Sequence, residues 1–217
     1  MIHRSALLIG VSLAACTQTA APTGGQGDPG HGHEIAATRC QSCHGGDGEA
    51  AQPGVPSLGE QWPEYIIKQL VAFAAPPGAP NRRESATMDP IARGLTSTDI
   101  ADVAAFYSLQ WRARAGPRNL KSALAGREIY RHGDVANDLP ACASCHRPSG
   151  LGIRPDFPNI AGQDPVYVER ELDTWDMTRK HRGKLMSIIV ERVRPEQRAP
   201  LADYLASLES RPIEGRD

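Results

Sequence analysis

Two short stretches of the chain carry residues whose types and spacing suit a prosthetic group. Both read Cys-x-x-Cys-His, the first over residues 40–44 and the second over residues 142–146. Two intervening residues place both thiols on one turn of chain, where they can add to the two vinyl groups of one haem while the adjacent histidine faces the iron. The motifs therefore predict two covalently bound haem c groups. The attaching cysteines would be Cys40, Cys43, Cys142 and Cys145, and the proximal iron ligands His44 and His146.

An internal repeat surrounds the two motifs. Residues 40–73 align with residues 142–175 at an offset of 102 without a gap, and further along an offset of 98 pairs Met88 with Met186. A period of this length exceeds that of solenoid repeats and indicates two tandem domains. The predicted boundaries are 31–116 for the first domain and 117–212 for the second, followed by a tail over 213–217.

A Cys-x-x-Cys pair also occurs in zinc sites and in redox dithiols. Structural zinc needs four ligands, whereas these two pairs lie in separate repeats. A redox dithiol usually accompanies a strand–helix–strand pattern, and no alternating strand pattern is found in the sequence. Haem attachment is the favoured interpretation, because the full motif is far more specific than a cysteine pair.

The sixth ligand of each iron decides between electron transfer and substrate chemistry. An exchangeable ligand permits catalysis, whereas methionine closes the iron to small molecules and raises its potential. Met88 and Met186 hold matching positions in the repeat and are the predicted sixth ligands, while Met177 has no counterpart. Four histidines are rival ligands, and none of them recurs between the repeats: His31, His33, His132 and His181.

Helices joined by irregular loops are the elements that must position these residues. Apolar residues recur at helical spacing over 63–73 and 165–175, each opened by a proline that suits a first helical turn. The last helix of the first repeat is predicted to start near Ser97. In the second repeat Pro200 should kink the corresponding helix or delay its start. The predicted fold class is all-α.

The order of these features resembles a known family. A Cys-x-x-Cys-His motif, a proline-rich loop, a Pro-x-Tyr helix and a methionine before an amphipathic last helix are similar to class I cytochrome c. Two such units in tandem resemble the di-haem cytochrome c4 family, and GREIYRHGDVANDLPACASCH is similar to the opening of its second half. The resemblance covers about residues 31–210 and implies two class I domains, each wrapped around one haem. It assigns the axial ligands as His44, Met88, His146 and Met186. One departure from the family is Arg147-Pro148-Ser149, in place of a glycine-rich turn.

The N-terminal segment predicts export and lipidation. Residues 1–15 have a weakly basic start and a short apolar stretch, which is typical of a secretory signal peptide. The ending Leu13-Ala14-Ala15-Cys16 resembles a bacterial lipobox, so Cys16 is the predicted lipidation site; an ordinary export signal with a chance cysteine is the alternative. Residues 16–30 have little apolar surface to bury and should form a flexible tether. These features predict a lipoprotein anchored to a membrane on the periplasmic side.

Composition and charge exclude two classes of protein. After the N-terminus no run of eighteen apolar residues occurs, which excludes a multi-span membrane protein. The net charge is −1 without a long block of one sign, which argues against a nucleic-acid binder. A basic segment before Met186 is a candidate docking surface for an acidic partner, although most such segments are solvated loops. Its basic residues are Arg179, Lys180, Arg182 and Lys184.

Transfer of single electrons between redox proteins, such as an oxidase, a reductase or a dehydrogenase, is the function that these features favour. The alternative is a cytochrome subunit of a larger dehydrogenase complex, for example with a sulfide-oxidising flavoprotein. A catalytic di-haem enzyme, such as one that oxidises thiosulfate, would carry cysteine or an exchangeable ligand at one iron. After the four haem thiols and Cys16, no cysteine is left for that role. The sequence therefore predicts an electron carrier and not an enzyme.

Overall fold

A computed structural model describes residues 27–179 and 184–210, with the side chain of Lys184 excepted. The described residues are mostly helical, and their only β-type pairing is two isolated bridges. Within these ranges no helix is both long and apolar enough to cross a membrane. Several predicted features lie outside the described residues: the signal peptide, the lipidation site Cys16, the tether up to residue 26, His181 of the basic segment with Lys180 and Arg182, and the tail over 213–217.

From residue 27 onward, the first half of the chain packs five helices around one apolar cluster. The helices are α1 (Pro29–Arg39), α2 (Gln41–His44), α3 (Pro63–Ala74), α4 (Met88–Arg93) and α5 (Ser97–Ser108). Helix α1 packs along α5, while α3 contacts both α4 and α5. Thr96 and Asp99 form a capping box that starts α5 at Ser97, as the sequence predicted. Asp28 caps α1, so this helix begins at Pro29, inside the segment predicted to be tether.

The second half repeats this arrangement around a second apolar cluster. Its elements are α6 (Leu120–His132), a 3-10 turn (Val135–Asn137), α7 (Ala143–His146), α8 (Pro165–Thr178), α9 (Lys184–Val190) and α10 (Pro195–Ser207). Helix α6 packs along α10, and α8 contacts α9 and α10. The two clusters are formed by different halves of the chain, so each half has its own core.

Equivalent glycines let the terminal helices of each half approach closely. A Cβ atom on Gly32 of α1 would lie 2.1 Å from the backbone oxygen of Asp102 in α5. A Cβ atom on Gly126 of α6 would lie 1.9 Å from the backbone oxygen of Pro200 in α10. Pro200 does not delay the start of α10, which begins at Pro195 and continues through it. The helix contact with α6 therefore forms despite the proline, at the position equivalent to Asp102.

Polar and largely buried contacts join the two halves. Arg83 donates to both carboxylate oxygens of Glu171, at 3.0 and 3.1 Å. Arg112, in the segment between α5 and α6, is 1% exposed and donates to the backbone oxygens of Ser57 and Ala161. Side chains from both halves and from the connecting segment therefore fix how the two halves meet.

Candidate haem-binding sites

Each Cys-x-x-Cys-His motif forms a single helical turn. The His44 amide donates to the backbone oxygen of Cys40 at 2.9 Å, and the His146 amide donates to that of Cys142 at the same distance. Cys40 and Cys142 each contact the apolar cluster of their own half, and no disulfide joins the four motif cysteines. One turn of helix therefore carries two thiols and an imidazole, as the sequence predicted.

The two histidines are held in the form that can bind a metal ion. Nδ1 of His44 lies 2.9 Å from the backbone oxygen of Pro56, and Nδ1 of His146 lies 3.2 Å from that of Pro158. A carbonyl oxygen only accepts, so Nδ1 carries the proton and Nε2 keeps its lone pair. Desolvation lowers the pKa of both histidines below the usual value and favours the neutral imidazole. Both rings therefore present a neutral Nε2.

A buried tyrosine holds the backbone carbonyl group of the residue after each histidine. The Tyr107 hydroxyl of α5 donates to the backbone oxygen of Gly45 at 3.2 Å, and the Tyr130 hydroxyl of α6 donates to that of Arg147 at 2.7 Å. Burial raises the pKa of both tyrosines well above the usual value, so both stay protonated donors. Sequence reasoning missed this pair, because the two tyrosines come from helices that do not correspond in the repeat.

The predicted sixth ligands lie against the same clusters as the cysteines. Met88 is half-buried at the start of α4 and contacts the first cluster together with Cys40. Met186 is half-buried in α9 and contacts the second cluster together with Cys142. Met177 is 66% exposed near the end of α8. Burial therefore separates the two repeated methionines from the unrepeated one.

Different side chains hold the two methionine segments. In the first half, the Met88 amide donates to the Ser85 hydroxyl at 3.1 Å, and the buried Asp89 accepts from the Ser85 amide at 3.0 Å. Asp89 also pairs with Arg82 and Arg93. In the second half the position equivalent to Asp89 is a serine, and its hydroxyl lies 3.2 Å from the indole nitrogen of Trp175. No sequence pattern predicts these contacts, because their residue types differ between the two repeats.

The rival histidines in the described ranges contact other groups. His31 lies 2.7 Å from a carboxylate oxygen of Asp102, and the His33 ring packs against Phe106 with centroids 5.2 Å apart. His132 pairs with Glu128 on the exposed face of α6 at 3.7 Å. None of these contacts involves a residue of either Cys-x-x-Cys-His motif.

Arg179 corrects the predicted docking surface. Its side chain pairs with Glu171, lies over the Trp175 ring at 4.3 Å and approaches the Tyr65 hydroxyl at 3.4 Å. Only 4% of the residue is exposed, because the end of α8 packs against the first half. Arg179 therefore belongs to the contact between halves and cannot attract a partner. Lys180 and Arg182 are outside the described residues, and Lys184 is described only as the first residue of α9.

Each half supplies a donor set that fits haem c. Two thiols on one helical turn suit the two vinyl groups, the neutral Nε2 suits the iron, and a thioether lies against the same apolar cluster. This agreement rests on the chemistry and placement of the side chains in both halves, which share no residue of the site.

Comparisons with known proteins identify relatives over most of the chain. Residues 30–108 match the family model described as cytochrome c. Cytochrome c4 of Pseudomonas aeruginosa is 32% identical over 186 residues, which cover 84% of this chain and 89% of that protein. The thiosulfate dehydrogenase electron acceptor of Thiomonas intermedia is 30% identical over 179 residues, covering 79% of each chain.

A solved structure has the same fold. Reduced recombinant cytochrome c4 from Pseudomonas stutzeri superposes with a TM-score of 0.77 at 28% sequence identity, over 84% of this chain and all of that one. Sequence and structure agree over most of both chains. This chain therefore belongs to the cytochrome c4 family, as an electron-transfer protein with two class I cytochrome c domains and two covalently bound haem c groups.

Proposed function

We propose that each domain binds its haem through one complete copy of the repeated site. The first copy is Cys40, Cys43, His44 and Met88, and the second is Cys142, Cys145, His146 and Met186. The support is the orientation of the two histidines, whose Nδ1 atoms are engaged by proline carbonyl groups and whose Nε2 atoms are left for iron. The domains divide near residue 116, so that the second runs from 117 to 212.

When bound, haem supplies a ferric/ferrous iron couple that takes up and releases one electron. The chain contributes two strong-field ligands at each iron, and a methionine thioether closes the sixth position to small molecules. The protein then relays single electrons and has no need of a substrate pocket. The tyrosine and proline contacts keep the histidine turn in place during each change of iron charge.

The ligand assignment is tested by three substitutions. Met88→Ala and Met186→Ala should each remove about half of the weak far-red band from sulfur bound to ferric iron. Met177→Ala is the matched control and should leave the band intact, because Met177 is exposed. A band of full strength in Met186→Ala would contradict the assignment. A pyridine haemochrome assay should find two covalent haems per chain.

A thiosulfate-oxidising dehydrogenase is the electron donor that we propose. The support is the similarity to thiosulfate dehydrogenase electron acceptors over 79% of this chain in one case and 94% in another. Rapid mixing of the oxidised protein with thiosulfate dehydrogenase and thiosulfate should reduce both haems. A mitochondrial-type cytochrome c serves as the comparison acceptor. If the dehydrogenase reduces this protein no faster than it reduces that cytochrome, the proposal is contradicted.

The family functions outside the cytoplasm, and we propose that Cys16 anchors this member to a membrane by a lipid. The support is the lipobox-like sequence ending at Cys16. Native protein should fractionate with membranes, and Cys16→Ser should release it or block its processing. Recovery of most of the wild-type protein in the soluble periplasmic fraction would contradict lipid anchoring.

The remaining basic residues of the segment before Met186 form the proposed docking surface. Replacing Lys180, Arg182 and Lys184 by alanine should slow association with an acidic partner and flatten its dependence on salt. The matched control removes three positive charges from the exposed face of α6, by alanine at Lys121, Arg127 and Arg131. Equal effects of the two triple variants would attribute the loss to net charge and contradict a docking surface.

A further inference from the structure

Two glutamines hold the halves together through equivalent sets of hydrogen bonds. The Gln61 side chain donates to the backbone oxygen of Asn159 at 2.7 Å and accepts from its amide at 3.0 Å. The Gln163 side chain donates to the backbone oxygen of Ser57 at 2.7 Å and accepts from its amide at 3.0 Å. All four residues are buried. The offset of 102 relates Gln61 to Gln163 and Ser57 to Asn159, so the two sets are copies of one contact.

Each glutamine contacts the peptide group that holds the histidine of the other half. The amide of Ser57 and the carbonyl of Pro56 belong to one peptide bond, whose oxygen accepts from Nδ1 of His44. The amide of Asn159 and the carbonyl of Pro158 belong to the equivalent peptide bond, whose oxygen accepts from His146. A hydrogen-bonded path therefore runs from Gln163 to His44, and a second runs from Gln61 to His146.

Hydrogen bonds linked through one amide strengthen each other. A peptide N–H that donates to a glutamine oxygen polarises the amide, which makes its carbonyl oxygen a better acceptor. A better acceptor draws the Nδ1 proton of the histidine and raises the basicity of Nε2. A more basic ligand favours ferric over ferrous iron, so the bond to glutamine should lower the reduction potential.

We propose that Gln61 and Gln163 are positioning residues that tune the iron of the opposite domain. Gln163 lowers the potential of the haem in the first domain, and Gln61 lowers that of the haem in the second. The inference rests on the axial roles proposed for His44 and His146. The crossed pattern is its distinguishing feature, because a local disturbance would act on the domain that carries the substitution.

Gln163→Met tests this inference in the protein with both haems attached. It removes the acceptor for the Ser57 amide and keeps a side chain of similar length. We expect the ferrous-to-ferric ratio of the first haem, at the wild-type midpoint, to rise about threefold, which is about 28 mV for one electron. The second haem should be unchanged, and Gln61→Met should give the reverse. A redox titration followed by the NMR resonances of each haem separates the two.

Two further variants keep the test informative. Gln163→Glu retains an oxygen acceptor for the Ser57 amide and strengthens it by charge, so it should lower the potential of the first haem more than that of the second. Trp62→Phe is the control: it removes a bond between halves, from the indole nitrogen to the backbone oxygen of Phe157. It keeps the backbone amide of residue 62, which donates to the Gln61 side-chain oxygen, and leaves both glutamine side chains in place. This variant should leave both potentials unchanged.

The outcomes separate this inference from the ligand assignment. Crossed tuning is overturned if Gln163→Met or Gln61→Met shifts the reduction potentials of both haems equally. It is also overturned if only the potential of the haem in the substituted domain shifts. The ring protons of His44 and His146 should be strongly shifted by the unpaired electron in the oxidised wild-type protein. Unshifted ring protons would instead overturn the proposed axial roles.

Discussion

Arg147 has a backbone conformation that favours glycine. Its φ and ψ are 63° and 160°, close to the 74° and 155° of Gly45, which follows the equivalent histidine. A residue with a side chain in this backbone region is strained by about 1–3 kcal/mol in the folded protein. Glycine removes that strain, but its greater conformational freedom in the unfolded chain offsets part of the gain in stability. We expect Arg147→Gly to raise the free energy of unfolding of the second domain by about 1 kcal/mol.

Denaturant unfolding of the haem-loaded protein measures this change. The matched control is Gly45→Ala, whose added Cβ atom would lie 2.0 Å from the backbone oxygen of Glu49 and should destabilise the first domain. Unchanged or lower stability in Arg147→Gly would show that the exposed arginine side chain offsets its backbone strain through contacts of its own.

Asp89 is the residue that orders the segment around Met88. It is buried, pairs with Arg82 and Arg93, and accepts from the Ser85 amide. Asp89→Asn removes the charge from these bonds, and hydrogen bonds to charged groups contribute about 1.5–3 kcal/mol each. We expect the free energy of opening this segment to fall by about 2 kcal/mol, which corresponds to an about 30-fold larger population of the open form.

Cyanide binding to ferric iron reports this opening, because cyanide must displace the methionine. The rate should rise at the first haem alone in Asp89→Asn. Asp173→Asn, which alters an exposed pair between Asp173 of α8 and Arg198 of α10, should leave both rates unchanged. An unchanged rate at the first haem would mean that Asp89 does not limit the release of Met88.

The two covalently bound haem groups were predictable from the sequence. The thiols and the adjacent histidines follow from a motif whose spacing is set by the haem itself. Tyr107 and Tyr130 were not predictable, because either of two packed helices can supply a hydroxyl to the same peptide. Arg179 was assigned wrongly to an exposed surface, since a run of charges does not tell which member is covered by another part of the chain.

The contact between α1 and α5 contains an ion pair that responds to pH. Nδ1 of His31, in α1, lies 2.7 Å from the buried carboxylate of Asp102, in α5. The hydrogen bond to Asp102 raises the pKa of His31 above 6.5, with smaller contributions from Asp99 and Glu34. A raised pKa in the folded state means that the pair stabilises the protein fully below pH 6.5, and that this stabilisation is lost as pH rises through the folded-state pKa.

Thermal unfolding at a series of pH values tests this helix contact. The melting temperature of the first domain should fall as pH rises from below 6.5 through the raised pKa, and His31→Gln should flatten that fall. The second domain provides an internal control, since Pro200 occupies the position equivalent to Asp102. A pH dependence that persists in His31→Gln would assign the effect to another group.

Helices were predicted where an apolar face repeats over several turns. The spacing located α3, α8 and α5, and the capping box explains why α5 begins at Ser97. The start of α10 was predicted less well, because the low helix propensity of Pro200 was the only signal in the sequence. The close contact between the Pro200 backbone and Gly126 needs a helical backbone at Pro200, and the sequence does not show that contact. The single turns α2 and α7 are too short for any periodicity, and only the motif indicates them.

Buried polar and charged side chains join the two domains where they meet. The apolar clusters belong to separate halves, while Glu171 lies between Arg83 and Arg179 where the halves contact. Such an interface fixes one mutual orientation, because each bond has a defined partner and direction. Covalent haem then supplies apolar surface to two small domains in a chain with only 5% aromatic residues.

Removal of Glu171 should therefore destabilise the whole molecule. Glu171→Ala leaves two arginines in a largely buried contact without their carboxylate, and an unpaired buried charge costs about 3–5 kcal/mol. Glu64→Ala is the control, since it removes the exposed pair between Glu64 and Arg154 that also joins the halves. Exposed pairs contribute about 0–1 kcal/mol. Denaturant unfolding should show a lower stability in Glu171→Ala by at least about 2 kcal/mol relative to Glu64→Ala. Equal stability of the two variants would mean that the interface relaxes enough to hydrate both arginines, and that Glu171 does not set the orientation of the domains.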